Sequence, residues 1–536
     1  MSTTSIEARQ GGAEGHIAVL FALLFGALSA LTGCAVGPSY VKPASQVPSN
    51  WSAHPDSLLT TRNAPDRDWW KVFADATLDS LIALAYHQNL PLQVAGLRIM
   101  EARAQLGIAV GKQYPQVQVG VASATAVGLT EPQSHVGQTD RNLWDFQVGF
   151  DAAWEADLWR KYSRGKKAEQ ANYLASIANY DDVLVTLTAE VARAYAAVRT
   201  FEVLSAQARA NADIQQEGLR IANSRFRNGA TSELDVTQAT TLLEGTRSTI
   251  PQLQTSVQQA QNALCTLLGR PTGSVQSLLA RTTGIPTAPS RVTMGVPAEM
   301  LRRRPDIRGA ELLAIAQCDQ VGVARAEIYP SFTLLGTIGT QTVTGTGSVP
   351  GGPTFPNLFN PGSWFYALGP RLVWPLFNYG RIQNNVRVQD ARLQQRLVSY
   401  QNTVLKAAQE VEDGLTGFLN AQEAAASSQR AANAAQRSVD LAFSQYREGA
   451  VDFQRVLDAQ RSLLEEQNRL ATTRSSAATD LIALYKALGG GWELREGQPF
   501  VPDSLQIEMK RRTNWGDYFE KPGSSQPSNG SDSTPR

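Results

Sequence analysis

The second half of the chain repeats the first at a separation of about 220 residues. Phe226-Arg227-Asn228-Gly229-Ala230 aligns with Tyr446-Arg447-Glu448-Gly449-Ala450. Glu190-Val191 aligns with Glu410-Val411, and Leu264 through Leu268-Gly269 aligns with Leu484 through Leu488-Gly489. Farther upstream the offset is 215, where Tyr114-Pro115 meets Tyr329-Pro330. Each copy is far longer than a solenoid repeat, so the chain is a duplicated architecture with internal pseudo-symmetry.

Two long stretches, Gln133 to Ile250 and Leu376 to Gln498, contain no proline. Proline costs about 3 kcal/mol inside a helix, so these are the places where very long helices are permitted. Tyr173, Ile177, Tyr180, Leu184, Leu187, Val191, Ala194, Val198 and Phe201 follow alternating spacings of four and three, a coiled-coil seam. Val236, Leu243, Ile250, Val257 and Leu264 recur every seven residues, and Val456, Leu463, Leu470, Ala477 and Leu484 keep the same phase in the second copy. Ser163 to Phe226 as one helix would be roughly 95 Å long. Gly229 and Gly449 sit where the long helices must reverse, and Gly269 and Gly489 where they end. Pro251 falls inside a helix and is expected to bend it.

The segments before each helix pair alternate. Phe146, Val148, Phe150, Ala152 and Trp154 are interleaved with Gln147, Gly149, Asp151 and Ala153. Val117, Val119 and Val121 alternate with Gln116, Gln118 and Gly120, and the second copy supplies Ser331 to Thr342 and Trp364 to Phe377. The connections are Gly128 to Asn142 and Val343 to Ser363. One greasy and one small or polar face per segment is the pattern of a transmembrane strand in an outer-membrane barrel, and equally of a soluble sandwich. Each copy therefore contributes two strands and a long helical hairpin, an α+β chain that is a membrane α+β chain if its strands cross lipid. Four strands cannot close a barrel, so strands that cross a membrane require several copies. Trp144, Trp154, Trp159, Trp364 and Trp374 flank these segments and suit an aromatic girdle, with ordinary packing an equal account of Trp159 and Trp374.

Charge is balanced at +1, and no polybasic surface points to nucleic acid. His16, His54, His87 and His135 share no ligand spacing. Cys265 and Cys318 read as buried thiols, with a disulfide between them left open. Ile17 to Leu31 is an apolar run suited to a signal-peptide core. It ends in Leu31-Thr32-Gly33-Cys34, which resembles the bacterial lipobox, in which the cysteine is acylated. A Pro/Ser-rich stretch to Asp66 reads as an extended tether, and Lys521 to Arg536 as a disordered tail.

Asp68-Trp69-Trp70-Lys71-Val72-Phe73 with Leu78-Asp79-Ser80-Leu81-Ile82, Asn89 and Glu101-Ala102-Arg103 resemble the opening of mature outer-membrane efflux proteins of the TolC superfamily. Arg303-Arg304-Pro305-Asp306-Ile307-Arg308 resembles that family's second-repeat helix start. Trp374-Pro375-Leu376-Phe377-Asn378-Tyr379-Gly380-Arg381 and Leu457-Asp458-Ala459-Gln460-Arg461 are similar to further family segments, and the lipobox points to its NodT-like lipoprotein branch, the outer-membrane factors of resistance-nodulation-division (RND) pumps. The resemblance implies a homotrimer with a 12-stranded outer-membrane β-barrel continuous with a 12-helix periplasmic α-barrel. It implies an outer-membrane location with a lipid anchor at Cys34, a periplasmic adaptor and an inner-membrane RND transporter as partners, and passive export of small molecules. It implies no cofactor and no enzymatic activity. The expected organisation is 1–33 signal peptide, 34–66 lipidated tether, 67–290 first repeat, 291–500 second repeat and 501–536 C-terminal segment with tail. Carried over by position, Asp235 and Tyr446 form a polar link between neighbouring helix pairs at a closed periplasmic aperture. Asp458 rings its narrowest point, and Arg455 or Arg461 could pair with it; a merely solvated helix face is the competing reading. Arg227, Gly229, Arg447 and Gly449 mark the tip that would meet the adaptor. A type I protein secretion channel and a non-pore trimeric coiled coil are the alternatives.

Overall fold

The computed structural model describes residues 36–44, 59–61, 67–128, 139–289, 292–294, 302–346 and 355–519. The lipobox residues Leu31, Thr32, Gly33 and Cys34 and the tail 521–536 lie outside the described residues. The principal helices are α1 (Ala76–Gln88), α2 (Leu90–Gly111), α3 (Lys161–Arg227), α4 (Glu233–Leu267), α5 (Pro305–Ala326), α6 (Arg381–Arg447), α7 (Phe453–Ala487) and α8 (Asp503–Arg512). The strands are β1 (Leu59–Thr61), β2 (Val117–Gly128), β3 (Thr139–Glu155), β4 (Val292–Met294), β5 (Ser331–Thr346) and β6 (Trp364–Val373).

The duplication is written into the helix lengths. Helices α2 and α5 are 22 residues each, α3 and α6 are 67, and α4 and α7 are 35. Between copies α2 and α5 are offset by 215 residues and the hairpin helices by 220. The change of offset falls between the Tyr-Pro turns and the tryptophans at the ends of the second strands, Trp154 and Trp374, so that stretch is five residues longer in the second copy. Connections tolerate such insertions because loop closure entropy grows slowly with length. Helix α4 runs unbroken through Pro251.

The chain divides into two compact units, each drawing on both copies. Met1–Lys42, Ala102–Tyr173 and Leu312–Leu397 form one; Pro43–Glu101, Leu174–Glu311 and Val398–Arg536 form the other.

The first unit holds an antiparallel sheet in the order β2-β3-β5-β6. Directly paired residues share a face. Trp144, Phe146, Val148, Phe150 and Trp154 of β3 therefore share one with Leu334 and Ile338 of β5 and with Trp364, Tyr366, Leu368 and Leu372 of β6. The opposite face carries polar contacts: Thr337 Oγ1 donates to Asp151 Oδ1 at 2.5 Å, and Gln341 Nε2 to Asp145 at 3.0 and 3.1 Å. Strand β2 differs from its simple reading. Val117, Val119 and Val121 pair with Ala153, Asp151 and Gly149, which puts them on the polar side, while Gly120, Ala122, Ala124 and Ala126 lie on the greasy side. Two strand limits also differ. Strand β3 begins at Thr139, inside the expected connection, and β6 ends at Val373, before the Trp-Pro-Leu-Phe segment. Past Val373 the chain turns out of the ladder, with Leu376 N donating to the Trp374 carbonyl at 2.9 Å.

The tryptophans follow the pseudo-symmetry. Trp154 Nε1 donates to the Gln113 carbonyl at 3.3 Å, and Trp374 Nε1 to that of Ile328 at 3.2 Å, the same bond in both copies. Both rings are exposed, as are Trp144 and Trp364. Trp159 is half-buried, stacks on Tyr329 at 4.7 Å and donates to the Pro330 carbonyl at 2.7 Å, so packing accounts for it.

The second unit is helical. All five seam residues of α7 (Val456, Leu463, Leu470, Ala477 and Leu484) are buried, whereas in α4 Leu243 and Leu264 are buried and Val236, Ile250 and Val257 only half-buried. The start of each 22-residue helix, α2 or α5, is tied to the end of the same copy's 35-residue helix, α4 or α7. Asn89 Nδ2 donates to the Leu267 carbonyl at 2.8 Å, and Arg304 Nη1 to that of Ala487 at 2.6 Å. These are equivalent positions filled by different chemistry. Arg304 also pairs with Asp306 and Glu410, each at 2.8 Å. Asp75 caps α1 by accepting from Thr77 N at 2.8 Å, and takes the Tyr195 hydroxyl at 2.6 Å.

The expected tether is not wholly free. Val36 is buried, Arg164 Nη1 donates to the Pro38 carbonyl at 3.1 Å, and β1 pairs in parallel with β4. Cys265 and Cys318 are free and buried, which settles the disulfide left open by sequence. Helix α8 had no sequence signal: it lacks a side-chain N-cap and buries no residue.

Candidate functional site: the helix reversals

Each hairpin turns on a glycine in the left-handed region, Gly229 at φ 71° and Gly449 at φ 77°. Gly229 N donates to Phe226 O and Gly449 N to Tyr446 O, both at 3.0 Å. The following amides, Ala230 and Ala450, reach Arg225 O and Gln445 O at 2.9 Å. The last carbonyls of α3 and α6 are thereby satisfied without continuing the helix, a geometry in which glycine carries no Cβ penalty. The two turns are alike; what surrounds them is not.

Tyr446 is buried in a cluster with Ile221 and Ala222 of α3, Ala239 of α4, and Phe453, Val456 and Leu457 of α7. It thus joins the second hairpin to the first. Arg225 reinforces the join twice: its Nη1 donates to the Tyr446 carbonyl, and its guanidinium lies 4.5 Å from the Tyr446 ring centroid. A cation over an aromatic face is worth about 0.5–2 kcal/mol, more as the site dries. The Tyr446 hydroxyl is buried without a well-formed hydrogen bond, close to Thr231 and Asp235. Burial pushes its pKa up, helped by Asp235 and opposed by Thr231 and Arg225. Asp235 accepts from Thr231 Oγ1. Asp235 and Tyr446 are therefore near one another, but the polar contacts are made by Thr231, to Asp235, and by Arg225, to Tyr446, and neither was singled out by sequence. The available signal was the arginine one helical turn before the first reversal, where the second copy has Gln445.

Asp458 lies apart from this cluster, exposed on α7. It accepts from Gln454 Nε2 at 2.9 Å, and Arg461 Nη1 stands 3.9 Å away with both side chains more than half exposed. Such a pair contributes little on its own. Arg455 forms no ion pair with Asp458 among the described residues; its amide donates to Asp452, the N-cap of α7. Arg447 reaches Glu217 of α3 at 3.6 Å, while Arg227 is exposed with no partner among the described residues. Among the described residues no group of His, Cys, Asp and Glu could hold a metal ion, and no helix is long and apolar enough to cross a membrane.

Comparison with known proteins agrees with the duplicated hairpins. The family model "Outer membrane efflux protein" matches twice, over residues 81–270 and 296–490, one match per copy. The chain is 30% identical to the cation efflux system protein CusC of Escherichia coli O6:H1, across 87% of this chain and 97% of that one. It is 31% identical to the pyoverdine export outer membrane protein OpmQ of Pseudomonas putida, across 83% and 92%. The solved structure of the outer-membrane channel OprN superposes with a TM-score of 0.79 at 29% identity, covering 86% of this chain and all of that one. With a mostly helical, duplicated fold and one family match on each copy, the chain belongs to the outer membrane efflux protein family and is an outer-membrane efflux channel of the kind used in tripartite systems.

Proposed function

We propose that three copies assemble into one duct, four strands from each closing a 12-stranded barrel and four long helices from each forming a periplasmic tunnel. The observation that carries this reading is the open sheet. Strands β2 and β6 are its outer strands, and its aromatic face is exposed along β3, β5 and β6. Lipid does not tolerate unpaired strand edges, so a membrane-spanning sheet of four strands must close against other copies. Trp144 and Trp154, like Trp364 and Trp374, are ten residues apart. That is about 33 Å of strand, or about 25 Å of membrane depth at the usual tilt, the height of an outer-membrane barrel's apolar band.

In this reading residues 67–290 and 291–500 are the two repeats, 34–66 the tether and 501–519 a segment beside them. Cys34 carries the acyl anchor. Asp235, Tyr446, Arg455, Asp458 and Arg461 belong to the closed aperture, now joined by Arg225 and Thr231. Arg227, Gly229, Arg447 and Gly449 present the tip to an adaptor, and docking of adaptor and RND transporter opens it. The duct is passive and not enzymatic. Its cargo is small molecules, and the relatives' names, one a cation system and one a pyoverdine exporter, favour a duct that leaves cargo choice to its partners. Native mass spectrometry of the detergent-purified chain tests the assembly. A trimer is expected; a monomer or dimer as the only species would sink it.

A further inference from the structure

Helix α3 begins against its own dipole. Arg160, just before it, and Lys161, Arg164, Lys166 and Lys167 in its first two turns crowd the end where the positive pole of the macrodipole disfavours cations. The second copy shows that the fold does not need them. The equivalent stretch at the start of α6 is Gly380-Arg381-Ile382-Gln383-Asn384-Asn385-Val386-Arg387, with two cations in place of five. Arg160 even occupies a left-handed backbone position, φ 59°, where the second copy places Gly380. Two of the five are accounted for locally: Arg164 pairs with Asp319 at 3.1 Å, and Lys161 faces Glu155 at 3.7 Å. Asp157 is spent on the helix start, accepting from the amides of Tyr162 and Ser163 at 2.9 and 2.8 Å. Arg160 and Lys166, with Lys112 at the end of α2, have no ion-pair partner among the described residues. Lys167 lies near the Asp319 carboxylate that Arg164 pairs, and Glu169 lines a cavity with Lys112 and Lys166.

Two independent features lie beside these cations. Trp154 and Trp374 are exposed at the same ends of the strands, each seven residues before its long helix, α3 or α6, begins. Each presents a ring outward while its N–H is held by backbone, as at a headgroup boundary. The chain's amino-terminal segment is also seated here. Arg164 holds the Gly37 and Pro38 carbonyls, a Cβ on Gly37 would lie 2.6 Å from the Gly322 Cα, and Arg160 and Lys167 line the same groove as Pro38, Ser39 and Tyr40. Cys34, the expected anchor, lies outside the described residues, two positions before Val36 in sequence.

We infer that Lys112, Arg160, Lys166 and Lys167 form a binding surface for anionic phospholipid headgroups at the periplasm-facing edge of the barrel. The inference rests on the reading of the sheet as membrane-spanning and of Cys34 as the anchored residue. Phosphate oxygens would supply the acceptors that the local carboxylates do not, and a basic side chain near an anionic surface contributes about a fivefold preference.

The test is native mass spectrometry of the full lipidated protein in detergent with equimolar phosphatidylglycerol and phosphatidylethanolamine. The wild type should retain phosphatidylglycerol by about fivefold or more. The combined K112Q/R160Q/K166Q/K167Q variant should lose that preference, and K112R/R160K/K166R/K167R should keep it. Phosphatidylglycerol retained by the glutamine variant, or lost equally by the charge-retaining one, overturns the assignment. The oligomeric state in the same spectra separates this from the duct itself: both variants should be trimeric as the wild type is, and a wild type found only as a monomer or dimer would instead overturn the duct reading.

Discussion

At Asp182, burial and the neighbouring Asp306 carboxylate push the pKa up to about 6, against the pull of Arg304 and Lys486 and with a further push from Glu410. In the unfolded chain the same carboxyl ionises near 3.8. Between about pH 4 and 6 the native state therefore holds a proton that the unfolded chain has released, and stability falls as pH rises through that window. Asp182→Asn removes the buried charge. It is expected to stabilise the protein by about 1–2 kcal/mol at about pH 8 and to change little at about pH 4.5. Thermal midpoints at the two pH values check this; equal gains at both would contradict it. Little of this was legible in sequence, because a carboxylate on a coiled-coil helix ordinarily faces water. The same holds at the tip. Tyr446 and Asp235 could be placed by position, but Arg225 acts through a ring face and a carbonyl, contacts that leave no spacing signal.

At the level of elements, the helices were the legible part. Seven-residue spacing, the proline-free stretches and the paired glycines placed the ends of α3, α4, α6 and α7 within a few residues. Strand register was not legible, since alternation fixes which residues share a face within a strand but not which face pairs with a neighbour's. That is why the valines of β2 lie on the polar side. The ties from the starts of α2 and α5 to the ends of α4 and α7 were also hidden, because the two copies use different residues. Asn89 makes a neutral bond to a carbonyl; Arg304 makes a charged one and also neutralises Asp306 and Glu410. Asn89→Ala should cost about 1 kcal/mol. Arg304→Ala should cost about 3 kcal/mol or more, because it strands carboxylates that it had paired. Denaturation followed by helical circular dichroism distinguishes them, and equal costs would mean that the ion pairs contribute nothing.

For the whole molecule, the duplication acquires its meaning from where the copies depart from one another. Their helices match in length and their tryptophans make the same bonds, so both copies serve one scaffold. The differences collect at two places. At the start of α3 the first copy adds cations beside the seated amino-terminal segment. At the reversals the first copy supplies Arg225, Thr231 and Asp235, and the second supplies Tyr446 and Asp458. A join made from unlike halves can be released on one side while the other keeps its packing, which a symmetric tip could not do. The most direct measurement is single-channel conductance in planar bilayers of the wild type beside Arg225→Ala, Tyr446→Phe and Asp458→Ala. A low wild-type conductance that rises severalfold in Arg225→Ala and Asp458→Ala, and less in Tyr446→Phe, is the predicted result. Conductance unchanged across all three, with each still trimeric, would contradict a closed aperture at the helix reversals.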